Sequence, residues 1–122
     1  MELLGGGPIA ADDHAGLRRE GLALEGQERW HEARDAYQRA LQKDSALRFA
    51  QQGAQRAGER AELSERLDVY LSRPDRLDSA AIRGEARLWL SRARLLEQGP
   101  VLRSQIARIE LLLQDYESAR NQ

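Results

Sequence analysis

The chain has 122 residues, no cysteine and a formal net charge of −1. This length gives room for one domain, and the absence of thiols excludes disulfides, thiolate nucleophiles and cysteine-ligated metal centres. A charge this close to zero provides no long-range field that attracts nucleic acid or anionic lipid. Alanine, leucine, glutamate, arginine and glutamine dominate while β-branched residues are scarce, a composition that predicts an all-α protein.

The N-terminal segment contains GGGP at residues 5–8. Three glycines and a proline disfavour a helix interior, so we predict a flexible arm over residues 1–11. Asp12 and Asp13 then offer N-cap oxygens and negative charge to a first helix that ends at Gly26. The segment has no basic n-region and no long apolar run, so we expect neither a signal peptide nor a membrane anchor.

Apolar residues at spacings of three and four predict four further helices. We place them at about residues 29–43, at about residues 45–71, after a cap at Asp78 or Ser79, and after the stop at Gly99-Pro100. The long third helix changes its apolar stripe near residue 62 and ends before Pro74. The fourth and fifth helices share one apolar period, which predicts an antiparallel hairpin that Leu63, Leu67 and Tyr70 complete to a three-helix core.

Residues 14–47 make one 34-residue helix–turn–helix unit, which contains the stretch GLRREGLALEGQERWHEARDAYQRALQKDSA. This stretch resembles a tetratricopeptide repeat. Gly21 and Ala33 stand where that family packs helix A against helix B with small residues. Trp30 and Tyr37 stand at its large aromatic positions, so the resemblance implies that both are buried between the first two helices.

The predicted domain organisation follows from this repeat. After the arm, residues 12–45 form the repeat-like helical hairpin, and residues 46–122 form the long helix and the C-terminal hairpin of the same domain. The whole is a five-helix right-handed α-α superhelix or bundle, because a single repeat needs stacked neighbours to close its core. The sequence departs from the family pattern at Glu20, which replaces an apolar residue, at the early Gly26, and at Ser45, which replaces a proline.

The resemblance also nominates a binding surface. In tetratricopeptide-like folds helix A lines a concave groove, which implies that Arg18, Leu22 and Glu25 contact another protein or peptide. Leu22 stands where carboxylate-binding members of that family carry an asparagine, so this groove departs from theirs.

The polar stretch WHEARDAYQRAL, residues 30–41, is the first candidate for a catalytic or metal-binding cluster. It lacks a second histidine four residues after His31, so the zinc geometry of two imidazoles on one helical face is absent. In the repeat frame its polar residues fall on the outer, solvated face of helix B: His31, Glu32, Arg34 and Asp35. Asp12-Asp13-His14 offers a loose divalent-ion site, but helix capping accounts for the acids. We therefore expect no enzymatic activity, no metal site and no cofactor.

One flank of the fourth helix and the break before it carries a row of arginines: Arg76, Arg83, Arg87 and Arg94. Their spacings of seven, four and seven line them up beside the apolar seam. Two interpretations stay open: a cationic strip that binds an acidic partner or nucleic acid, and a solvated flank whose aliphatic stems shield the seam. No recognition motif or aromatic platform accompanies the arginines, so we expect no nucleic-acid partner.

These observations predict a helical scaffold or adaptor that acts by contact with another protein or peptide. The alternative is a self-associating or spacer domain of a larger bacterial protein, which forms a homo-oligomer. An open groove with an exposed Leu22 favours the adaptor, whereas a groove filled by the chain's own helices favours the spacer. Eighteen arginines against one lysine indicate a GC-rich bacterial genome. We expect a cytoplasmic location, or an envelope-associated one if the chain is excised from a longer protein, and no membrane insertion.

Overall fold

The computed structural model describes the backbone of residues 2–121 and the side chains of residues 14–119. Within that range the chain forms five α-helices and one 3₁₀ helix without a strand, which confirms the predicted all-α class. The bounds are α1 Glu2–Gly26, α2 Trp30–Lys43, α3 Arg48–Ser72, the 3₁₀ helix Pro74–Asp78, α4 Ala80–Arg94 and α5 Pro100–Asn121.

Helix α1 begins at Glu2, earlier than the start predicted near residue 13. Glycine and proline raise the cost of a helix, by about 1 and about 3 kcal/mol per residue, without excluding it. The side chains of residues 1–13 lie outside the described residues, so the flexible arm predicted for residues 1–11 stays a prediction.

Helix α4 begins after Ser79, one of the two caps that the sequence left open, the other being Asp78, and it ends earlier than expected. The Ser79 hydroxyl accepts a hydrogen bond from the Ile82 amide at 3.4 Å, which confirms this residue as the N-cap. At the other end, the Leu95 and Leu96 amides bond to carbonyls three residues back, so the last turn tightens and the helix stops at Arg94 rather than at the Gly99-Pro100 pair.

The turn between α1 and α2 places a glutamate in a backbone conformation that favours glycine. Glu28 has φ 59°, in the left-handed region. Its amide bonds to the Glu25 carbonyl at 2.9 Å, and the Arg29 amide bonds to the Leu24 carbonyl at 2.9 Å. This pair of bonds is the Schellman arrangement, whose left-handed position usually holds glycine. The sequence instead has its glycine two positions earlier, at Gly26.

Glycine is expected to be the more stable of two replacements at position 28. Both Glu28→Gly and Glu28→Ala remove the carboxylate, but only alanine keeps the Cβ atom that disfavours the left-handed conformation. The free energy of unfolding of Glu28→Gly should therefore exceed that of Glu28→Ala by about 1 kcal/mol. Urea denaturation of both variants measures the difference. An alanine variant as stable as the glycine variant would contradict the assigned turn.

The chain divides into two compact units, unit 1 over Met1–Ala61 and unit 2 over Glu62–Gln122. The division falls inside α3 rather than at the boundary predicted near residue 45. The reason is that the two halves of α3 pack into different cores: Ala50 and Ala57 belong to the first, and Leu63 and later residues to the second. This exchange occurs where the apolar stripe was predicted to shift, near residue 62.

The core of unit 1 is built around one aromatic ring. Tyr37 on α2 is 1% exposed, as predicted, and its ring lies against the backbones of α1 and α3 at two glycines. A Cβ atom built on Gly21 would lie 2.5 Å from the ring, and one built on Gly53 would lie 2.6 Å from it. Trp30 is only partly buried, contrary to the prediction, and the Arg60 guanidinium lies over its ring at 4.3 Å from the centroid.

The core of unit 2 is the predicted three-helix core. Buried residues come from the second half of α3, the 3₁₀ helix, α4 and α5: Leu63, Leu67, Tyr70, Leu77, Ala86, Leu90, Ala93, Leu102, Ile106, Ile109 and Leu113. Two polar side chains of unit 2 are also buried, those of Arg83 and Gln105, and the Gln105 amide donates to Asp68 Oδ1 at 2.8 Å. Trp89 packs against this core and is only partly buried, and the guanidinium groups of Arg66 and Arg92 lie 5.6 and 4.8 Å from its ring centroid.

The glycines beside the Tyr37 ring should not tolerate a methyl group. We expect Gly53→Ala to lower the free energy of unfolding by about 1–3 kcal/mol, since the new methyl group forces the ring or the helix to move. The matched control is Gly84→Ala, in the interior of α4, where an added Cβ meets nothing within 4 Å.

The control should gain stability, by about 1 kcal/mol, because alanine is the better helix former. Thermal unfolding of the two variants measures whether each one loses or gains stability relative to the wild type. Two glycine variants that change stability in the same direction would contradict the packing of the Tyr37 ring against α3.

Candidate functional site

Unit 1 contains an open groove between α1 and the first half of α3, with Tyr37 of α2 beneath it. Its volume is about 350 Å³. The three residues that the sequence nominated for partner contact, Arg18, Leu22 and Glu25, all line it. Four further residues complete the lining: Tyr37, Phe49, Gln52 and Arg56. The structure therefore brings the nominated residues together in one concave site.

One wall of the groove is a hydrogen-bonded network. Arg56 donates from Nε to Glu25 Oε1 at 2.6 Å and from Nη2 to Glu25 Oε2 at 2.8 Å. The Tyr37 hydroxyl donates to the same Oε2 atom. The Glu25 side chain is 11% exposed. Because its carboxylate already accepts three hydrogen bonds, it positions the groove wall and is not a free acceptor for a ligand.

The network also fixes the charges of its members. Burial raises the pKa of Tyr37 to about 12, and the hydrogen bond to Glu25 acts in the same direction. Burial also raises the pKa of Glu25, but hydrogen bonds from Arg56 and Tyr37 outweigh it and leave that pKa below its ordinary value. Near neutral pH the network thus holds an ionised carboxylate, a protonated phenol and a guanidinium.

The other side of the groove is apolar and cationic. The Phe49 ring meets the Tyr37 ring edge-on, with centroids 6.3 Å apart, and the Arg18 guanidinium lies over Phe49 at 5.6 Å from its centroid. Leu22 is 49% exposed at this side. Arg18 lines the groove together with Leu22, so this side also carries a guanidinium charge.

The α3 side of the groove was not among the nominated residues. Phe49, Gln52 and Arg56 all come from the first half of α3. They follow one another at spacings of three and four, so they share one helical face. The signal that identifies them is Gly53, whose missing Cβ lets this helix approach the Tyr37 ring.

The polar residues of α2 that were predicted to be solvated lie mostly on the surface. His31, Glu32 and Asp35 are exposed, and Glu32 accepts hydrogen bonds from Arg29. Arg34 differs, because its stem packs beside α3 and its Nε is buried without a hydrogen-bond partner among the described residues. The side chains of Asp12 and Asp13 lie outside the described residues.

The four arginines predicted as a cationic strip do not form one exposed row. Arg83 is 5% exposed, because its guanidinium turns back to donate to the Leu77 and Asp78 carbonyls at 2.8 Å each. Arg76 lies in the 3₁₀ helix and not on α4. The remaining two are exposed but paired with glutamates of α5, Arg87 with Glu117 and Arg94 with Glu110.

No family model matches the sequence, and no curated protein or solved structure matches it either. Across the described residues, no helix has both the length and the apolarity needed to cross a bilayer. Among the side chains of residues 14–119, no group of three or more histidine, aspartate or glutamate residues is arranged to hold a metal ion.

The groove network predicts a pH-dependent contribution to stability. Because the pKa of Glu25 is lowered from its ordinary value of 4.5, its contribution is present above that pH and is lost as the pH falls through the lowered pKa. Glu25→Gln should cost about 1 kcal/mol near pH 7, which is less than for a fully buried pair because Arg56 is half exposed. This cost should decrease as the pH falls through the lowered pKa of Glu25.

Urea denaturation at several pH values measures this difference. The control is Glu20→Gln, whose partner Arg39 and own carboxylate are both about half exposed, and which should change stability by less at every pH. A Glu25→Gln cost that stays constant between neutral and acidic pH would show that the carboxylate does not hold the network.

Proposed function

We propose that this chain is a non-enzymatic helical adaptor in which unit 1, as a tetratricopeptide-like repeat, binds a segment of another protein in its groove. The observation that carries the proposal is the open groove whose lining includes the half-exposed Leu22 and the Arg18 guanidinium. A spacer domain would be expected to fill such a groove with its own helices, and the described side chains of unit 1 leave it open.

The groove has the chemistry of a peptide site. Its volume of about 350 Å³ accommodates a few side chains. Leu22 and the Phe49 ring provide an apolar contact, and burying the exposed half of Leu22 contributes about 1 kcal/mol. Gln52 and Arg18 supply hydrogen-bond donors to the peptide backbone or its polar side chains.

The groove wall is also rigid before a ligand arrives. Glu25 is held by three hydrogen bonds and Tyr37 by two helix backbones. A preformed wall reduces the ordering cost of binding.

The proposal is tested with peptides selected from a random display library on the full chain. Selected peptides should lose at least about tenfold in affinity when Leu22 is changed to aspartate, since the apolar contact becomes a buried charge. The matched control is Val69→Asp in the second half of α3, because that valine is similarly exposed, at 43% against 49%, and does not line the groove. Isothermal titration calorimetry measures both affinities.

Peptides that bind the wild type and Leu22→Asp equally well would show that the groove is not the binding site. If the selection yields no peptide that binds the wild-type chain more tightly than it binds the Leu22→Asp chain, the adaptor function itself is contradicted.

A further inference from the structure

Unit 2 carries a second surface groove, along the outer side of the α4–α5 hairpin. Its volume is about 270 Å³, and its floor consists of the edges of Leu90 and Leu113. Two ion pairs cross it from α4 to α5, Arg87 with Glu117 and Arg94 with Glu110. All cations of these pairs lie on one helix and all anions on the other.

The two pairs share one register. Going seven residues forward on α4, from Arg87 to Arg94, corresponds to going seven residues back on α5, from Glu117 to Glu110. The two helices are therefore antiparallel and keep the same register over this stretch. Two positive charges on α4 lie in a row beside two negative charges on α5.

We propose that this face is a self-association surface and that its occupant is a second copy of the same chain. A twofold axis along the groove turns a second copy so that its α4 lies over α5 of the first copy at the same level. Each Arg87 then faces the other copy's Glu117, and each Arg94 faces the other copy's Glu110. A twofold interface requires such a self-complementary patch.

The charge pattern selects this occupant and this orientation. Docking with α4 over α4 would put arginine opposite arginine and glutamate opposite glutamate, which is unfavourable. A uniformly acidic or basic partner, nucleic acid included, would be repelled by one of the two rows. A copy of the chain presents both rows in the required order.

The same register also aligns exposed leucines at the margins of the groove. Leu88 and Leu111 are 55% and 60% exposed, and Leu95, one heptad beyond Leu88, is 87% exposed. In the register set by the two ion pairs, Leu111 on α5 is opposite Ala93 on α4. Its height along the hairpin therefore lies between those of Leu88 and Leu95. In the paired arrangement each Leu111 therefore lies beside the gap between two leucines of the other copy, and their burial adds an apolar contribution.

Within a single chain these ion pairs contribute little, because their side chains are all between 43% and 49% exposed. In the dimer each charge gains a second opposite charge and loses solvent. Such an interface weakens with added salt, unlike an association that depends on apolar contacts alone.

Sedimentation velocity of the full chain over a concentration series tests the proposal. We expect a reversible monomer–dimer equilibrium whose dissociation constant rises by about tenfold or more when sodium chloride is raised from about 0.05 M to about 0.5 M. A wild type that stays monomeric at every concentration in low salt would overturn the proposal, as would a dimer that strengthens with salt.

Two charge-reversed variants test the orientation. Arg87→Glu with Arg94→Glu makes the face wholly acidic, and Glu110→Arg with Glu117→Arg makes it wholly basic. Each variant alone should be monomeric, and an equimolar mixture should form a dimer, because only the mixture restores opposite rows. Either variant dimerising alone as tightly as the wild type would overturn the face assignment.

Controls separate a lost interface from a lost fold. Exchanging the charges of the exposed Arg73–Asp75 pair, as Arg73→Asp with Asp75→Arg, should leave the dimer unchanged, since this pair lies outside α4 and α5. Circular dichroism shows whether each variant remains helical. If a charge-reversed variant is unfolded, the wild-type salt series decides the proposal without it.

Discussion

The ring of Tyr37 occupies a space that exists only because two helices lack side chains there. Gly21 on α1 and Gly53 on α3 meet the ring from both sides, and a methyl group at either position would overlap it. The ring therefore sets how closely α1 and the first half of α3 approach α2. Because the hydroxyl also binds Glu25, the same residue that closes the core of unit 1 positions one wall of the groove above it.

Charged side chains hold much of this fold together. Arginine makes up most of the basic residues, and its planar head and long stem cover aromatic rings and bridge helices. Arg60 lies over Trp30 and Arg92 lies over Trp89, and both tryptophans are only partly buried. Arg83 satisfies two carbonyls at the end of the 3₁₀ helix. Arg18 lies over Phe49 in the same way, but it does so in the lining of the open groove.

Periodicity predicted the parts of the structure that depend on which helical face a residue occupies. The helices, the Ser79 cap, the burial of Tyr37 and the packing of Leu63 and Leu67 against the C-terminal hairpin all follow from spacing and end signals. The stripe change near residue 62 also coincides with the division between the two units. These features are local, or they depend on one apolar face finding another.

The rest depends on where long side chains turn after they leave the helix. A helical wheel places Arg83 on a flank, but only the geometry of the preceding 3₁₀ helix brings two carbonyls within its reach. Likewise the groove residues of α1 were identified, whereas Phe49 and Arg56 were missed, because pairing α3 with α1 requires knowing that Gly53 admits the Tyr37 ring.

Nuclear Overhauser spectroscopy on the labelled full chain tests the central packing most directly. The account predicts cross-peaks from the Tyr37 ring protons to the α-protons of both Gly21 and Gly53, since the ring lies against both backbones. Cross-peaks to one glycine only, or to neither, would contradict it. They would mean that the ring does not pack between α1 and α3 and so does not set the spacing of the two helices that line the groove.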